Sequence, residues 1–296
     1  MTIRSQRATL ETSRLSGDSA AGETAPSVVI ERNRAYLRGE LRALWEFREL
    51  LYFMVWRDVK TRYKQTALGV GWAVLQPLLT TAIFTVVFSS FARMPSQGVP
   101  YPLFAFTALL PWSYFSQALG RSSVGLVSNA NLISKVYFPR LIIPLAVAAT
   151  PLVDFGLTFV VLLALLAWYQ IVPTVAIFVL PIFVLMAFLA AVAVSLWLSA
   201  LNVKYRDVGH LIPFLIQIWM YASPVVYPLS LVPERWRHLY SINPMVTVVE
   251  GFRWSLLGTP PPNGTVALIS SAVVLVTLAG GLMYFKATER TFADVI

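Results

Sequence analysis

Six stretches of the chain are rich enough in apolar residues to cross a lipid bilayer, and polar or charged segments separate them. They lie at approximately 68–92, 103–127, 141–169, 174–201, 211–227 and 265–285. A helix needs about 20 mostly apolar residues to cross a hydrocarbon core of about 30 Å. The second and fifth stretches are interrupted by proline and polar residues. Because helices satisfy their own backbone hydrogen bonds in lipid, the pattern predicts an all-α membrane protein with six transmembrane helices.

The composition supports a membrane protein and excludes several kinds of chemistry. Hydrophobic residues make up 57% of the chain and charged residues only 12%, against about a quarter charged in soluble domains. The chain has no cysteine, which excludes disulfides, thiol catalysis and thiolate metal sites. The net charge of +9 arises mainly beside the apolar stretches. This distribution favours contact with an anionic membrane surface over contact with nucleic acid.

Two segments precede the first apolar stretch. Residues 1–34 are rich in Ser, Thr, Ala and Gly and predict a flexible N-terminal tail. Residues 35–67 place apolar side chains, including Leu51, Val55 and Trp56, at helical spacing with charged residues between them. This spacing predicts an amphipathic helix on the cytoplasmic membrane surface, although a helix docked on a soluble partner has the same pattern. A six-span domain over 68–285 and a cytoplasmic tail over 286–296 complete the predicted organisation.

The positions of the basic residues predict the orientation of the chain. With the N-terminus in the cytoplasm, nineteen of the 23 Lys and Arg residues lie on the cytoplasmic side. The remaining four are Arg93, Arg235, Arg237 and Arg253. Because basic residues concentrate in the cytoplasmic loops of membrane proteins, both termini are predicted in the cytoplasm.

Two predicted cytoplasmic loops are candidates for contact with a partner. The loop at 128–144 alternates apolar residues with Lys135 and Arg140, and its helix is expected to end before Pro139. A short exposed helix would give a partner a surface to grip, whereas an ordinary basic connection between spans has a similar composition. The loop at 202–210 is short and ionic, which suits either a contact or a simple connector.

The predicted outer segment at 229–264 contains a long apolar stretch at 239–258, which carries Glu250 and Arg253. Charges near the bilayer midplane are costly, so this segment predicts an interfacial or re-entrant helix rather than a seventh span. The two charged residues are three positions apart and are expected to meet on one helical face. Such a helix would serve as a gate or as a cap on the outer surface.

Asp154 is the only acidic residue well inside a predicted span. An intramembrane carboxylate suggests a functional site. One hypothesis is that Asp154 relays protons; the alternative is that it serves helix packing or faces the lumen. No P-loop, nucleophile elbow or zinc-protease motif occurs, and the two histidines, His210 and His238, are not neighbours in sequence. The chain therefore predicts a conduit without its own energy source. A proton-coupled secondary transporter and a membrane-embedded glycan-modifying enzyme remain as alternatives.

Four segments resemble the membrane subunits of ATP-binding-cassette exporters for bacterial polysaccharides, which include O-antigen and teichoic-acid exporters. They are RDVKTRYKQTALGVGWAVLQPLL at 57–79, LISKVYFPRLIIPLA at 132–146, NVKYRDV at 202–208 and INPMVTVVEGFRWSLLG at 242–258. The resemblance extends from about Trp45 to Phe285. The tail before it departs from the family pattern.

The resemblance implies a permease that forms a homodimer in the bacterial inner membrane, with two separate ATPase subunits bound from the cytoplasm. ATP and Mg²⁺ would be bound by the partner subunits, and this chain would hold no cofactor, metal or catalytic residue. The implied cargo is a polysaccharide linked to undecaprenyl diphosphate.

The resemblance also implies roles for particular residues. The ATPase-coupling residues would be Asn131, Lys135, Tyr137, Phe138, Pro139, Arg140, Tyr205, Arg206 and Asp207. Four basic residues before the first span would meet the lipid diphosphate or the membrane surface: Arg57, Lys60, Arg62 and Lys64. Candidates for the channel or its gate are Trp72, Trp112, Tyr114, Phe115, Asp154, Trp219, Tyr221, Tyr227, Asn243, Glu250 and Arg253. Aromatic residues near span ends are also common interface anchors.

Overall fold

The computed structural model describes residues 42–64 and 69–295, and these residues are helical with no strand among them. The predicted tail at 1–34 lies outside the described residues, as do 35–41 and the junction at 65–68. The helices are α1 (Arg48–Lys64), α2 (Gly71–Phe84), α3 (Tyr101–Ser128), α4 (Ala130–Lys135), α5 (Ile142–Ala149), α6 (Pro151–Trp168), α7 (Leu180–Lys204), α8 (Val208–Tyr221), α9 (Glu234–Tyr240), α10 (Pro244–Leu257) and α11 (Gly264–Val295). A π-helical segment, Thr85–Phe91, extends α2, and short 3₁₀ turns cover Val175–Val179 and Leu229–Leu231.

Four helical segments in the described part of the chain are long and apolar enough to cross a membrane. They are Gly71–Phe91, Ile142–Trp168, Val175–Lys204 and Gly264–Glu289. They coincide with the first, third, fourth and sixth predicted stretches, which confirms an all-helical, multi-pass membrane protein.

The second and fifth predicted stretches form helices of a different character. Helix α3 has 28 residues but carries several polar side chains. Helix α8 has 14 residues and ends at Tyr221, earlier than predicted, before Pro224. A 14-residue helix is about 21 Å long, which is less than the hydrocarbon thickness. The count of six spans therefore stays a prediction.

Helix α3 is the centre of the bundle. It packs against α2, α5, α6, α7, α8 and α10, and most of its apolar side chains, such as Phe106, Phe115 and Leu119, are almost fully buried. A helix that is covered by neighbours on all sides does not need a continuous apolar surface toward lipid. This burial explains why α3 tolerates polar residues that weaken its resemblance to an isolated span.

Helices α7 and α11 approach closely around Trp197. Its indole stacks on Tyr284 with ring centroids 5.0 Å apart, and its Nε1 donates a hydrogen bond to the carbonyl oxygen of Thr277 at 3.0 Å. A Cβ at Gly280 would lie 3.0 Å from the Trp197 ring. Small residues of this kind allow membrane helices to approach each other, so the glycine creates the space that the indole fills.

Helix α1 is apolar on two faces, which differs from the single apolar stripe predicted. Leu51, Met54 and Val55 pack against the core, whereas Tyr52 and Trp56 are exposed. Trp56 follows Val55 directly, and adjacent residues on a helix point about 100° apart. The structure therefore separates Trp56 from the face to which the spacing assigned it.

Helix α10, the main part of the predicted outer segment, is buried within the bundle. It contacts α3, α7 and α11, and it ends at Gly258, whose φ of 68° lies in the left-handed region that favours glycine at a helix C-terminus. Within α10, Gly251 faces Phe183 of α7. A Cβ at this position would lie 2.4 Å from the Phe183 ring, so the absence of a side chain permits the contact between the two helices.

We predict that Gly251→Ala destabilises the protein by about 1–3 kcal/mol, because the added methyl group forces Phe183 and its neighbours to move. The matched control is Gly156→Ala in α6, where nothing lies within 4 Å of the added Cβ and the higher helix propensity of alanine applies. Unfolding of each purified variant in mixed micelles measures the difference. Equal stability of the two variants would contradict the packing described here.

Candidate functional site

The predicted coupling turn consists of α4 and the residues from Val136 to Arg140. After α4 the backbone becomes extended at Val136. Tyr137 is 95% exposed, whereas the next side chain, Phe138, is only 5% exposed and belongs to the hydrophobic core. The turn is therefore anchored by Phe138 and projects Tyr137 away from the bundle.

The other predicted coupling residues of this turn also include exposed side chains and side chains that contact the bundle. Asn131 and Lys135 are exposed on α4, and Pro139 is partly buried. Arg140 donates a hydrogen bond from Nη1 to the carbonyl oxygen of Glu289 in α11. This contact ties the turn to the last helix of the chain, so Arg140 joins the turn to the bundle.

The second predicted contact follows α7. Tyr205, Arg206 and Asp207 are all exposed. The loop is held closed by Asn202, whose Oδ1 accepts a hydrogen bond from the backbone N–H of Gly209 at 2.8 Å. Asn202 is buried, so its amide fixes the angle between α7 and α8 while the three polar side chains remain available.

Asp154 has partners that sequence reasoning did not find. It is 3% exposed in the first turn of α6 and accepts hydrogen bonds from Arg62 Nη1 and from the Tyr63 hydroxyl. Arg62 also donates from Nη2 to Oε1 of Gln117 at 2.6 Å. A buried charge requires a close partner, and here the partner comes from α1 rather than from another span.

This network lines a cavity of about 290 Å³ between α1, α2, α3 and α6. Its wall combines Trp72 and Tyr114 with the amides of Gln76 and Gln117. An aromatic face together with amide and hydroxyl groups is suited to a polar ligand with flat faces. Trp72 and Gln76 are separated by one helical turn of α2, and Thr80 continues the same line.

Four predicted basic residues on α1 have different surroundings. Lys60 and Lys64 are exposed and line neither of the cavities near this helix. Arg57 donates hydrogen bonds to Asp58 at 2.9 Å and to Oδ1 of Asn129 at 3.0 Å. Arg62 is drawn into the bundle by Asp154, as described above. Arg57 and Arg62 therefore contact neighbouring helices or their ends, whereas Lys60 and Lys64 are exposed.

Several aromatic candidates for the channel wall are core residues in this chain. Trp112 and Phe115 are buried in α3, and the Phe115 ring meets Trp219 edge to face at 5.1 Å. Tyr114 is also buried but reaches the 290 Å³ cavity. Trp72 and Tyr221 are about half exposed. The sequence did not distinguish these two groups because both consist of aromatic residues within apolar stretches.

Asn243 connects the outer segment to α8. Its Oδ1 accepts hydrogen bonds from the N–H of Met245 at 3.0 Å and from Trp219 Nε1 at 2.9 Å. Its Nδ2 donates to Ser223 Oγ at 2.8 Å and to the carbonyl oxygen of Ala222. The amide therefore caps α10 and satisfies the end of α8 at the same time. In the loop after α8, the hydroxyl of Tyr227 is hydrogen-bonded to the hydroxyl of Tyr240, the last residue of α9, at 2.7 Å.

The predicted pairing of Glu250 with Arg253 is confirmed. Arg253 Nη1 lies 3.3 Å from Glu250 Oε1, and Nη2 donates to the carbonyl oxygen of Val225 at 2.8 Å. The guanidinium carbon lies 3.5 Å from the centroid of the Phe104 ring, and the whole side chain is buried. Arg253 thus holds α3, α10 and the loop after α8 together.

We predict that Arg253→Met lowers the free energy of unfolding by about 3–5 kcal/mol, because it leaves Glu250 and the Val225 carbonyl buried without their donor. Adding Glu250→Gln to the same chain should recover part of the loss. The control is Glu234→Gln, since the pair of Glu234 with Arg237 is exposed and contributes about 1 kcal/mol or less. Denaturation of the three variants in mixed micelles checks the order; similar losses for the buried and exposed pairs would refute it.

Comparison with known proteins places the chain in a family. The ABC-2 type transporter family matches residues 49–257. The O-antigen export system permease protein RfbA of Myxococcus xanthus is 30% identical over 259 residues, covering 86% of this chain and 98% of that protein. RfbA of Klebsiella pneumoniae is 26% identical over 249 residues (84% and 95%). The polysialic acid transport protein KpsM of Escherichia coli is 24% identical over 246 residues (79% and 91%). This chain belongs to the ABC-2 type transporter family.

Proposed function

We propose that this chain is the transmembrane permease subunit of an ABC exporter that moves polysaccharide linked to undecaprenyl diphosphate across the bacterial inner membrane. The observation that carries the proposal is the similarity along 98% of the Myxococcus xanthus O-antigen export permease. The sequence contains no P-loop, so the energy comes from a separate ATPase subunit that binds ATP and Mg²⁺.

The turn that projects Tyr137 is the proposed contact with the ATPase. Closure of the ATPase subunits around ATP moves this turn, and two links carry the movement into the bundle: the buried Phe138 side chain and the hydrogen bond from Arg140 to the Glu289 carbonyl. The second contact is the exposed loop with Tyr205, Arg206 and Asp207. Coupling is mechanical, because the permease takes no part in the chemistry of hydrolysis.

The conduit forms between two copies of the chain. In support, α2 exposes apolar side chains such as Leu79 and Ile83, and it also carries the line of Trp72, Gln76 and Thr80 along the 290 Å³ cavity. A span with one apolar face and one polar, aromatic face is suited to line a path for sugars in lipid. In the proposed homodimer each copy contributes six spans, with α3 and α8 as the second and fifth.

The alternatives considered from the sequence have less support. A proton-coupled transporter needs a carboxylate that exchanges protons during transport, whereas Asp154 is held by Arg62 and Tyr63. A glycan-modifying enzyme needs an acid and a base that face one cleft. Glu250 is instead bound to Arg253 within the bundle.

We predict that single cysteines report opposite sides of the membrane for the two ends of the bundle. The chain has no native cysteine, so Ser134→Cys in the coupling turn and Ser230→Cys in the outer segment are clean, matched probes, and both positions are exposed. In intact cells, an impermeant maleimide should label Ser230→Cys only. Labelling of Ser134→Cys from outside would reverse the proposed orientation.

We predict that Tyr137→Ala weakens co-purification of the ATPase and lowers export about tenfold, because exposed aromatic residues often contribute most of the energy at an interface. The control is Tyr169→Ala, an exposed tyrosine at the far end of α6. Co-purification from membranes and export of labelled polysaccharide in reconstituted vesicles measure the two effects. Transport by the isolated permease without the ATPase would overturn the proposed function.

A further inference from the structure

A second cavity lies between α1, α3 and α5, and it shares Arg62 with the cavity already described. It has a volume of about 520 Å³, and three arginines line it: Arg57 and Arg62 from α1 and Arg121 from α3. The wall also contains the side chains of Thr61 and Asn129. Sequence reasoning did not single out Arg121, although its position inside the second apolar stretch is a signal of function.

Positive charge in this cavity exceeds the negative charge that the structure places beside it. Asp58 lines the same wall and pairs with Arg57 at 2.8 Å, and Asp154 pairs with Arg62 from the neighbouring cavity. Arg121 forms no ion pair with any carboxylate that the structure describes. The negative charge of Asp58 stabilises the Arg121 guanidinium electrostatically, but the two groups are not within ion-pair distance. Burial, followed by the positive charge of Arg121, lowers the pKa of Arg62 to about 10. Two guanidinium groups therefore repel each other beside an open cavity, and an anion would relieve that repulsion.

Arg62 belongs to the walls of both cavities. On one side it faces the arginine-lined space, and on the other it faces the wall with Trp72, Gln76 and Gln117. Guanidinium groups match the oxygens of a phosphate, and indole faces with amides match a sugar ring. A ligand that carries phosphate directly next to a sugar would occupy both spaces at once.

We propose that Arg57, Arg62 and Arg121 bind the phosphate groups of the lipid-linked saccharide and that the adjoining cavity receives its first sugar. This inference rests on the proposed function, and it specifies how that cargo is recognised. A diphosphate presents more oxygens to the arginines than the single phosphate of a membrane phospholipid does, and a sugar bonded to that diphosphate adds contacts in the adjoining cavity.

The test uses the full permease with its ATPase in nanodiscs of phosphatidylcholine, with labelled undecaprenyl diphosphate as the probe. Arg121→Gln should weaken binding about tenfold, since a charge-assisted hydrogen bond contributes about that much to affinity. The matched control is Arg48→Gln, which removes one positive charge from the exposed surface of α1 and should change binding less than about twofold. Equal losses for the two variants would reduce the arginine cluster to general membrane electrostatics and refute the site.

Additional measurements distinguish undecaprenyl diphosphate from membrane phospholipid as the source of the bound phosphate, and they distinguish loss of binding from loss of folding. Unlabelled phosphatidylglycerol should compete poorly with the probe, and equal competition would assign the site to membrane lipid and overturn the proposal. Arg121→Lys keeps the charge but loses the planar fork, so it should bind better than Arg121→Gln at the same thermal stability. Trp72→Ala should leave the affinity for undecaprenyl diphosphate unchanged and weaken that for its glycosylated form. Equal weakening for both would exclude the adjoining sugar position.

Measuring polysaccharide export with the same preparations distinguishes failure of the phosphate site from failure of the proposed permease function. If the wild-type complex exports polysaccharide with ATP, and Arg121→Gln binds and exports as Arg48→Gln does, the phosphate site is refuted while the permease function stands. If the wild-type complex exports nothing with ATP, the proposed function itself fails.

Discussion

Charges buried in an apolar bundle must be paired within it, and two paired arginines, Arg62 and Arg253, also connect elements that are far apart in this sequence. Arg62 with Asp154 joins the helix before the first span to the start of α6, with Gln117 of α3 as a third partner. Arg253 pairs with Glu250 within α10, its Nη2 donates a hydrogen bond to the Val225 carbonyl oxygen in the loop after α8, and its guanidinium lies on the ring of Phe104 in α3. Lipid supplies no alternative partners, so each pair fixes the position of the segments that carry it.

The central helix α3 gives these pairs a common support. It contributes Gln117 to the first and Phe104 to the second, and its apolar residues fill the space between the surrounding helices. A movement delivered to the turn after α3 therefore reaches elements that are tightly packed rather than a flexible loop. Close packing transmits displacement because side chains in a filled core have little room to yield. This arrangement supports the mechanical coupling proposed for this chain.

Local sequence patterns predicted much of the fold and part of the candidate site. Four of the six predicted apolar stretches coincide with the four candidate spans, since a continuous apolar run is a property of neighbouring residues. The spacing of Glu250 and Arg253 predicted their ion pair, because residues three apart on a helix are neighbours. By contrast, Trp112 and Trp72 have the same residue type and similar surroundings in sequence, yet one is buried and the other half exposed.

The sequence by itself determined that the chain is a helical membrane protein, and it predicted a cytoplasmic turn at Asn131 to Arg140; these features depend on composition and on contacts between near neighbours. Only the tertiary structure decided that Asp154 meets Arg62, that Phe138 anchors the turn from which Tyr137 projects, and that Arg121 joins two arginines of α1 around one cavity. Arg62 lies tens of positions along the chain from both Asp154 and Arg121. For all three features, the direction of each side chain is set by how the helices rotate against one another. That rotation depends on the whole core, and no local periodicity encodes it.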